Sequence, residues 1–340
     1  MNLQHSFQHD FQHTQAAHCE SGAISALLTH HGLPISEPMA FGLANALAFA
    51  YIPIVKLGGQ PLIAYRLPPR FIIKNLCKRL GVQVGFRRFK DPLQATHALD
   101  DMLAAGTPVG LQTSVYYLPY FPEEMRFHFN AHNLLVYGKQ DNQYLVSDPI
   151  FEQPTQVAPR DLNKARFVRG PLAPNGMMYN IESVPQQLDY PKLIRDAINK
   201  NVKGMTGAPL PVIVVRCIRY LANRIERLKG TEQQQRLFLG HIVRMQEEIG
   251  TGGAGFRFIY ASFLQEAASK LGDQTLAEAS DNMTVGGDSW REFAVQVARQ
   301  CKRGQQIDRR LLADKLRDCA GQEAAAWQDL KRWAQVNRQG

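Results

Sequence analysis

A chain of 340 residues with 45% hydrophobic and 20% charged residues is long enough for two domains with cores of their own and excludes wholesale disorder. Its most apolar run, Pro209 to Ala222, is broken by Arg216 and Arg219 and falls short of the roughly 20 apolar residues that span a bilayer, so no integral membrane association is expected. The net charge of +9 is unevenly spread, with 24 Lys+Arg against 16 Asp+Glu from Tyr190 onward and 15 against 14 before it, and such a basic half suits an acidic partner.

Met1 to Asp10 is polar and lacks the basic-then-apolar pattern of an export signal. Five widely spaced cysteines fit a reducing compartment, so the expected location is cytoplasmic. His5, His9 and His13 recur every four residues, but no thiol or carboxylate completes a ligand set at close spacing, and no metal is expected. Cys19 to His31 has apolar residues at helical spacing, with Gly32 as its stop. Ser36, Glu37 and Pro38 supply a cap, an early acid and a first-turn proline for a second helix, expected to run to about Ala50.

Phe71 to Leu80 is helical with Gly81 as its stop, and Val82, Val84 and Phe86 alternate as a half-buried strand. Leu93 to Ala105 is an amphipathic helix, and Pro108 to Tyr117 is strand-like and leads into the aromatic run Tyr116 to Tyr120. His132 to Gly138 and Gln143 to Asp148 are expected to form a hairpin, with Lys139 to Asn142 between them. Helices come early and strands late, which makes this half α+β. From about Pro191 the periodicity is helical throughout, over Arg195 to Lys203, Val212 to Leu228, Glu232 to Ile249, Phe256 to Leu271, Ser289 to Gln300 and Ile307 to Trp333. The expected organisation is therefore an α+β domain over 1–180 and an all-helical domain over 190–340.

Cys19 begins a helix, so its sulfur faces the positive end of a helix dipole, a placement that favours thiolate. A thiolate nucleophile needs a nearby base and a group that orients the base. The hairpin offers both: with Gln140 at the centre of a three-residue loop, His132 and Asp148 stand opposite each other with their Cβ atoms roughly 5 Å apart. Cys77 and Cys217 lie in helical or apolar runs and are expected to be buried and structural. His18 neighbours the nucleophile, His128 lies four residues before His132, and Tyr117 sits in the aromatic run. Each is a candidate to tune or line the site. Gly250, Gly252 and Gly255 fit G-x-G-x-x-G but follow a helix rather than a strand, so a helix-to-helix turn is favoured over a phosphate cradle with Arg257 nearby.

His18-Cys19-Glu20-Ser21, Ser36-Glu37-Pro38 through Phe41-Gly42-Leu43, Tyr117-Leu118-Pro119-Tyr120, His132-Asn133 and Ser147-Asp148-Pro149 together resemble the N-terminal domain of the butirosin-biosynthesis acyltransferase family. The order of cysteine helix, histidine strand and Asp-Pro also resembles the bacteriocin-processing cysteine peptidases, which implies a papain-like fold. Gly250-Thr251-Gly252-Gly253, Phe256-Arg257 and Tyr260 to Leu264 resemble the helical domain that often accompanies it. The resemblance implies acyl transfer from an acyl-carrier-protein thioester, on the carrier's phosphopantetheine arm, to a small-molecule amine. By position Cys19 matches the nucleophile, His132 the base and Asp148 its orienter, and no cofactor of the chain's own is implied. Papain-type enzymes carry a glutamine six residues before the cysteine as an oxyanion donor; here His13 takes that place, with Gln15 nearby, and the Cys19 N–H is a further donor. The same triad would serve a thioesterase or a peptidase, and loss of the oxyanion hole would leave a non-catalytic binding module. Nucleic acid is not an expected partner, because aromatics do not interleave with the basic clusters.

Overall fold

The computed structural model describes residues 11–207, 215–249, 252–302 and 305–337. His5, His9, the start of the helix expected from Val212, and Gly250-Thr251 lie outside the described residues. In chain order, α1 (Cys19–His30) and α2 (Glu37–Leu43) precede a hairpin of β1 (Leu47–Leu57) and β2 (Gln60–Arg66). Next come α3 (Phe71–Leu80), β3 (Gln83–Arg87), α4 (Pro92–Ala104), β4 (Val109–Thr113), β5 (His132–Gln140), β6 (Gln143–Ser147), β7 (Thr155–Val157), α5 (Pro159–Arg166) and β8 (Met178–Ser183). Six helices follow: α6 (Tyr190–Gly207), α7 (Val215–Glu226), α8 (Glu232–Val243), α9 (Arg257–Leu271), α10 (Gln274–Gln300) and α11 (Arg309–Val336).

The chain forms two compact units, and each draws on separated stretches of sequence. Residues through Ala40 join Ile72–Gln187, while Phe41–Phe71 joins the chain from Leu188 onward. The single boundary expected between 180 and 190 therefore misplaces 41–71, and the second unit is not all-helical. The expected helix to Ala50 stops at Leu43, because Asn45 takes a left-handed φ of 55° and its side chain donates to the Ala197 carbonyl at 2.6 Å. Leu47–Arg66 then forms the β1–β2 hairpin, turned by Gly58-Gly59 at φ 58° and 80°. Its buried Phe49 and Tyr65 each lie 5.5 Å from the Trp290 ring, which explains why this stretch joins the helical unit.

The first unit is α+β. A six-stranded antiparallel sheet runs β3-β8-β4-β5-β6-β7. Leu111, Leu134, Val136 and Val146 pack with Leu99 and Leu162 from α4 and α5. Every residue of β4 is buried, and Gly110 is required there, since a Cβ would sit 2.1 Å from the Tyr179 ring. α1 starts under a cap from His18, whose ring accepts the Ser21 N–H, and ends at Gly32 with φ 80°. Glu20, wholly buried, accepts the Ile72 and Ile73 N–H groups at 3.0 and 3.3 Å and so satisfies the first turn of α3.

In the second unit α10 begins at Gln274, well before the expected Ser289, under an Asp273 cap. Gly286-Gly287 reads as a break, yet Gly287 lies inside the helix where a Cβ would meet the Phe258 ring at 2.6 Å. Arg257, placed beside a possible phosphate by the sequence, is fully buried: its Nε donates to Glu323 Oε1 at 2.6 Å and its Nη1 to the Gly255 carbonyl at 2.7 Å. The Trp290 indole donates to the same Glu323 oxygen at 2.6 Å. Gly252 to Phe256 all have positive φ, and this run delivers Arg257 to its partner. Among the described residues no helix is long and apolar enough to cross a membrane. Glu323→Ala strands the Arg257 charge and the indole N–H, and is expected to destabilise the protein by about 3–5 kcal/mol. Denaturant unfolding with the mutation at Glu323 measures this, and a loss under about 1 kcal/mol would show that the pair is not anchoring the core.

Candidate active site

Cys19, His132 and Asp148 are brought together in the first unit, and all three are buried, with 2%, 3% and 0% exposure. Cys19 stands at the first position of α1, His132 opens β5 and Asp148 follows the last residue of β6. The His132 Nε2–H donates to Asp148 Oδ2 at 2.7 Å. That leaves Nδ1 as the nitrogen available to Cys19, whose side chain helps hold the imidazole's proton. Burial alone would lower the imidazole's proton affinity. The Asp148 carboxylate outweighs it through charge and hydrogen bond, and with Cys19 raises His132 to about 10.

The pairing does not arise from the expected register. The β5–β6 turn has two residues, Asp141 and Asn142, both left-handed at φ 49° and 58°, rather than three centred on Gln140. Gln140 pairs with Gln143, an irregularity follows between Val136 and Gly138, and Leu135 faces Ser147. Asp148 thus lies diagonal to His132 rather than opposite, and reaches it because a diagonal neighbour on one face is within range of an imidazole.

Asp148 is held on every side. Its Oδ2 also accepts the Tyr120 hydroxyl at 2.9 Å, and its Oδ1 accepts the Ile150 N–H at 3.2 Å. Burial and the adjacent carboxylate push the Tyr120 phenol well above its ordinary value, so it stays a donor. Phe121 sets its ring edge-on to His132 at 5.4 Å. Tyr120 was visible in the aromatic run, but nothing in that run said which tyrosine would meet the carboxylate.

The remaining candidates are placed as follows. His13 is not an oxyanion donor: its Nε2–H donates to the Phe151 carbonyl at 3.0 Å, and its Nδ1 accepts the Ser147 hydroxyl at 2.7 Å. Both ring nitrogens are spent on fastening the lead segment to the last residue of β6 and the chain just beyond it, where the Ala16 N–H also donates to the Pro149 carbonyl at 2.7 Å. Gln15 donates to the Ile150 carbonyl at 3.5 Å and, with Tyr120, Phe151 and Glu152, lines a cleft of about 550 Å³. His18 is buried and turned to Ser21, 2.8 Å from its hydroxyl. His128 is not on the His132 strand; it is exposed in the loop before β5 and stacks on Tyr116 at 4.1 Å, with Tyr117 edge-on at 6.4 Å. Cys77 and Cys217 are buried, and burial raises their thiols to about 12 and about 11. No group of three His, Cys, Asp or Glu side chains is arranged to hold a metal among the described residues.

Since folded His132 keeps its proton to about pH 10 against an ordinary 6.5, the pair's stabilisation is full below pH 6.5 and is lost as pH rises through about 10. Asp148→Asn removes the dominant raising influence, and His132 is expected to titrate about 1–3 units lower. Imidazole NMR across pH measures this directly. An unmoved titration would mean another group holds the His132 proton.

Residues 18–149 match the family model for the N-terminal domain of butirosin biosynthesis protein H, and residues 160–330 match a domain of unknown function, DUF4872. No curated protein matches the sequence. Among solved structures, one described as a C39-like peptidase from Bacillus anthracis is similar over 52% of this chain and 96% of its own, at 13% identity and a TM-score of 0.36. The first family match contains Cys19, His132 and Asp148, and the second alone spans just over half of the chain. The chain belongs to the butirosin biosynthesis protein H family, with its N-terminal domain followed by DUF4872.

Proposed function

We propose that the chain is a cysteine-dependent acyltransferase of a biosynthetic pathway, moving an acyl group from an acyl-carrier-protein thioester through Cys19 to a small-molecule amine. One arrangement carries this reading: a cysteine that bears on the proton of a histidine whose Nε2 is held by a buried carboxylate. The family match supports a biosynthetic role for that centre.

In the proposed reaction Cys19 reacts as a thiolate paired with the protonated His132, whose second proton is on Nδ1, and the sulfur attacks the thioester carbonyl. The tetrahedral oxyanion forms beside the helix start, where the Cys19 N–H, first of α1, has no intrahelical acceptor. Collapse breaks the bond to the pantetheine sulfur, which leaves with the proton from Nδ1. The amine then attacks the acyl-cysteine and passes a proton to Nδ1, where it stays as the Cys19 sulfur departs as thiolate. An amide and a free pantetheine thiol result, with His132 and Asp148 back in their starting states. The phosphopantetheine belongs to the carrier, and the excess of basic residues from Tyr190 onward would attract an acidic carrier in the cytoplasm.

The deciding experiment is a time course of intact mass with acylated carrier alone and then with added amines. A mass increase on the Cys19 peptide, stable without amine and discharged by it, is expected. Loss of the adduct to water within the turnover time would make the protein a thioesterase. An absence of adduct from any carrier, with Cys19 still reactive to iodoacetamide, would refute the carrier-thioester donor and favour a peptidase. Cys19→Ala is expected to abolish turnover, and Asp148→Asn to lower it by up to about four orders of magnitude. Carrier association should slow as salt rises while turnover at saturating carrier changes less; salt-independent association would remove the electrostatic docking.

A further inference from the structure

The turn leading into Cys19 converges on a side chain to which the sequence assigned only a helix-dipole role. Glu37, at the start of α2, turns its carboxyl back across the chain. Its Oε2 accepts the Ala17 N–H at 2.8 Å, and its Oε1 accepts the His18 N–H at 2.8 Å and the Ser21 hydroxyl at 3.0 Å. Ser21 is in turn 2.8 Å from His18 Nδ1, and the Ser21 N–H donates to the same nitrogen at 3.3 Å. His18, Cys19 and Ser21 are all buried.

These bonds account for four of the backbone donors around the nucleophile. The Ala17 and His18 N–H groups go to Glu37, the Ser21 N–H to the His18 ring, and the Gly22 N–H to the His18 carbonyl. Two peptide planes ahead of Cys19 and the hydroxyl two residues after it are thus pinned to one carboxyl. A cysteine bracketed in this way cannot rotate its N–H or its Cα–Cβ bond direction without breaking several bonds at once. The Cys19 N–H is not among the groups that Glu37 takes, so the clamp orients it and leaves it for substrate.

We propose that Glu37 is the positioning residue of the nucleophile, setting the Cys19 sulfur and N–H through the Ala17 and His18 peptides and the Ser21 hydroxyl. This rests on Cys19 being the nucleophile of the proposed acyl transfer. Glu37 itself touches no reacting atom. Burial holds its carboxyl above the usual range despite three donors that pull the other way. Glutamine at 37 nearly preserves shape but replaces one acceptor oxygen by an NH₂ group. With Oε1 kept for His18 and Ser21, that NH₂ faces the Ala17 N–H, donor against donor, and the turn has to shift.

The test is iodoacetamide labelling of the full chain, read at each cysteine by peptide mass, with Cys77 as an internal reference because it is buried in the same unit. In Glu37→Gln, Cys19 labelling is expected to fall about 10- to 100-fold, the scale set by sub-ångström to 1 Å displacement of a reacting group, while Cys77 stays unchanged. With carrier thioester, kcat should fall by a similar factor and KM move little. A merely structural Glu37 gives the opposite pattern, with Cys19 and Cys77 both labelling faster as the unit loosens, and that result overturns the proposal. So does wild-type labelling in Glu37→Gln. Should Glu37→Gln fail to fold, Ser21→Ala decides: it keeps both backbone bonds and loses one tether. Slower Cys19 labelling at an unchanged unfolding midpoint supports the clamp, and wild-type labelling refutes it. Labelling does not depend on the acyl donor, so it judges Glu37 even if no carrier thioester reacts. If wild-type Cys19 labels no faster than Cys77, it is the nucleophile assignment itself that fails.

Discussion

A carboxylate with no exposure to solvent has to be repaid by hydrogen bonds, and the way Asp148 meets that requirement organises the first unit. His132 comes from the start of β5, Tyr120 from the loop between β4 and β5, and the Ile150 N–H from the chain just beyond β6. Three separate stretches must therefore converge before the charge is tolerable. His13 and Ala16 then fasten the lead segment to the same chain after β6, which brings the start of α1 to the sheet. The imidazole that faces Cys19 is placed by the same bonds that make Asp148 affordable to bury.

The other two carboxyls near Cys19, Glu20 buried and Glu37 half-buried, follow a related logic with different acceptor duties. Glu20, the residue after Cys19, is turned to the first N–H groups of α3, and Glu37 to the turn before Cys19. Each receives at least two donors, so none is an isolated charge in the interior. Their division of labour separates tasks that a single residue could not combine. Asp148 holds the proton on His132, Glu37 bonds the turn before Cys19 in the way we propose positions it, and Glu20 attaches α1 to α3.

Much of this was legible in the residues. A cysteine opening a helix, and a histidine and an aspartate at the mouth of a hairpin, announce themselves through residue type and local periodicity. The pairing of His132 with Asp148 was correct although the register behind it was not, because a diagonal neighbour serves as well as a direct one when an imidazole spans the gap. Local patterns do not carry the clamp at Glu37. An acid beside a first-turn proline is satisfied as a helix-dipole partner, and only the fold reveals that its carboxyl reaches back to residues 17, 18 and 21. His13 shows the converse: a position in the right relation to Cys19 whose nitrogens are consumed by Ser147 and Phe151.

The division of the chain was the least legible feature, for a reason that lies in the hairpin over Leu47–Arg66. The sequence reads its first residues as the tail of a helix, and nothing local says what Phe49, Tyr51 and Tyr65 pack against. The answer depends on Trp290 and Cys217, more than 150 residues away: the Trp290 ring receives Phe49 and Tyr65, and the Tyr51 N–H meets the Cys217 sulfur at 3.2 Å. A chain cut near residue 187 would keep this hairpin and lose its core, taking Trp290 from Phe49 and Tyr65 and Cys217 from Tyr51. The residues that hold the hairpin are thus supplied by the DUF4872 region, and the family's two domains are continuous in sequence but not in folding. Cys19 and Asp148 belong to one unit whose two sequence stretches are separated by a piece of the other, so bringing α1 to the sheet carries the loop-closure cost of the whole 41–71 insertion.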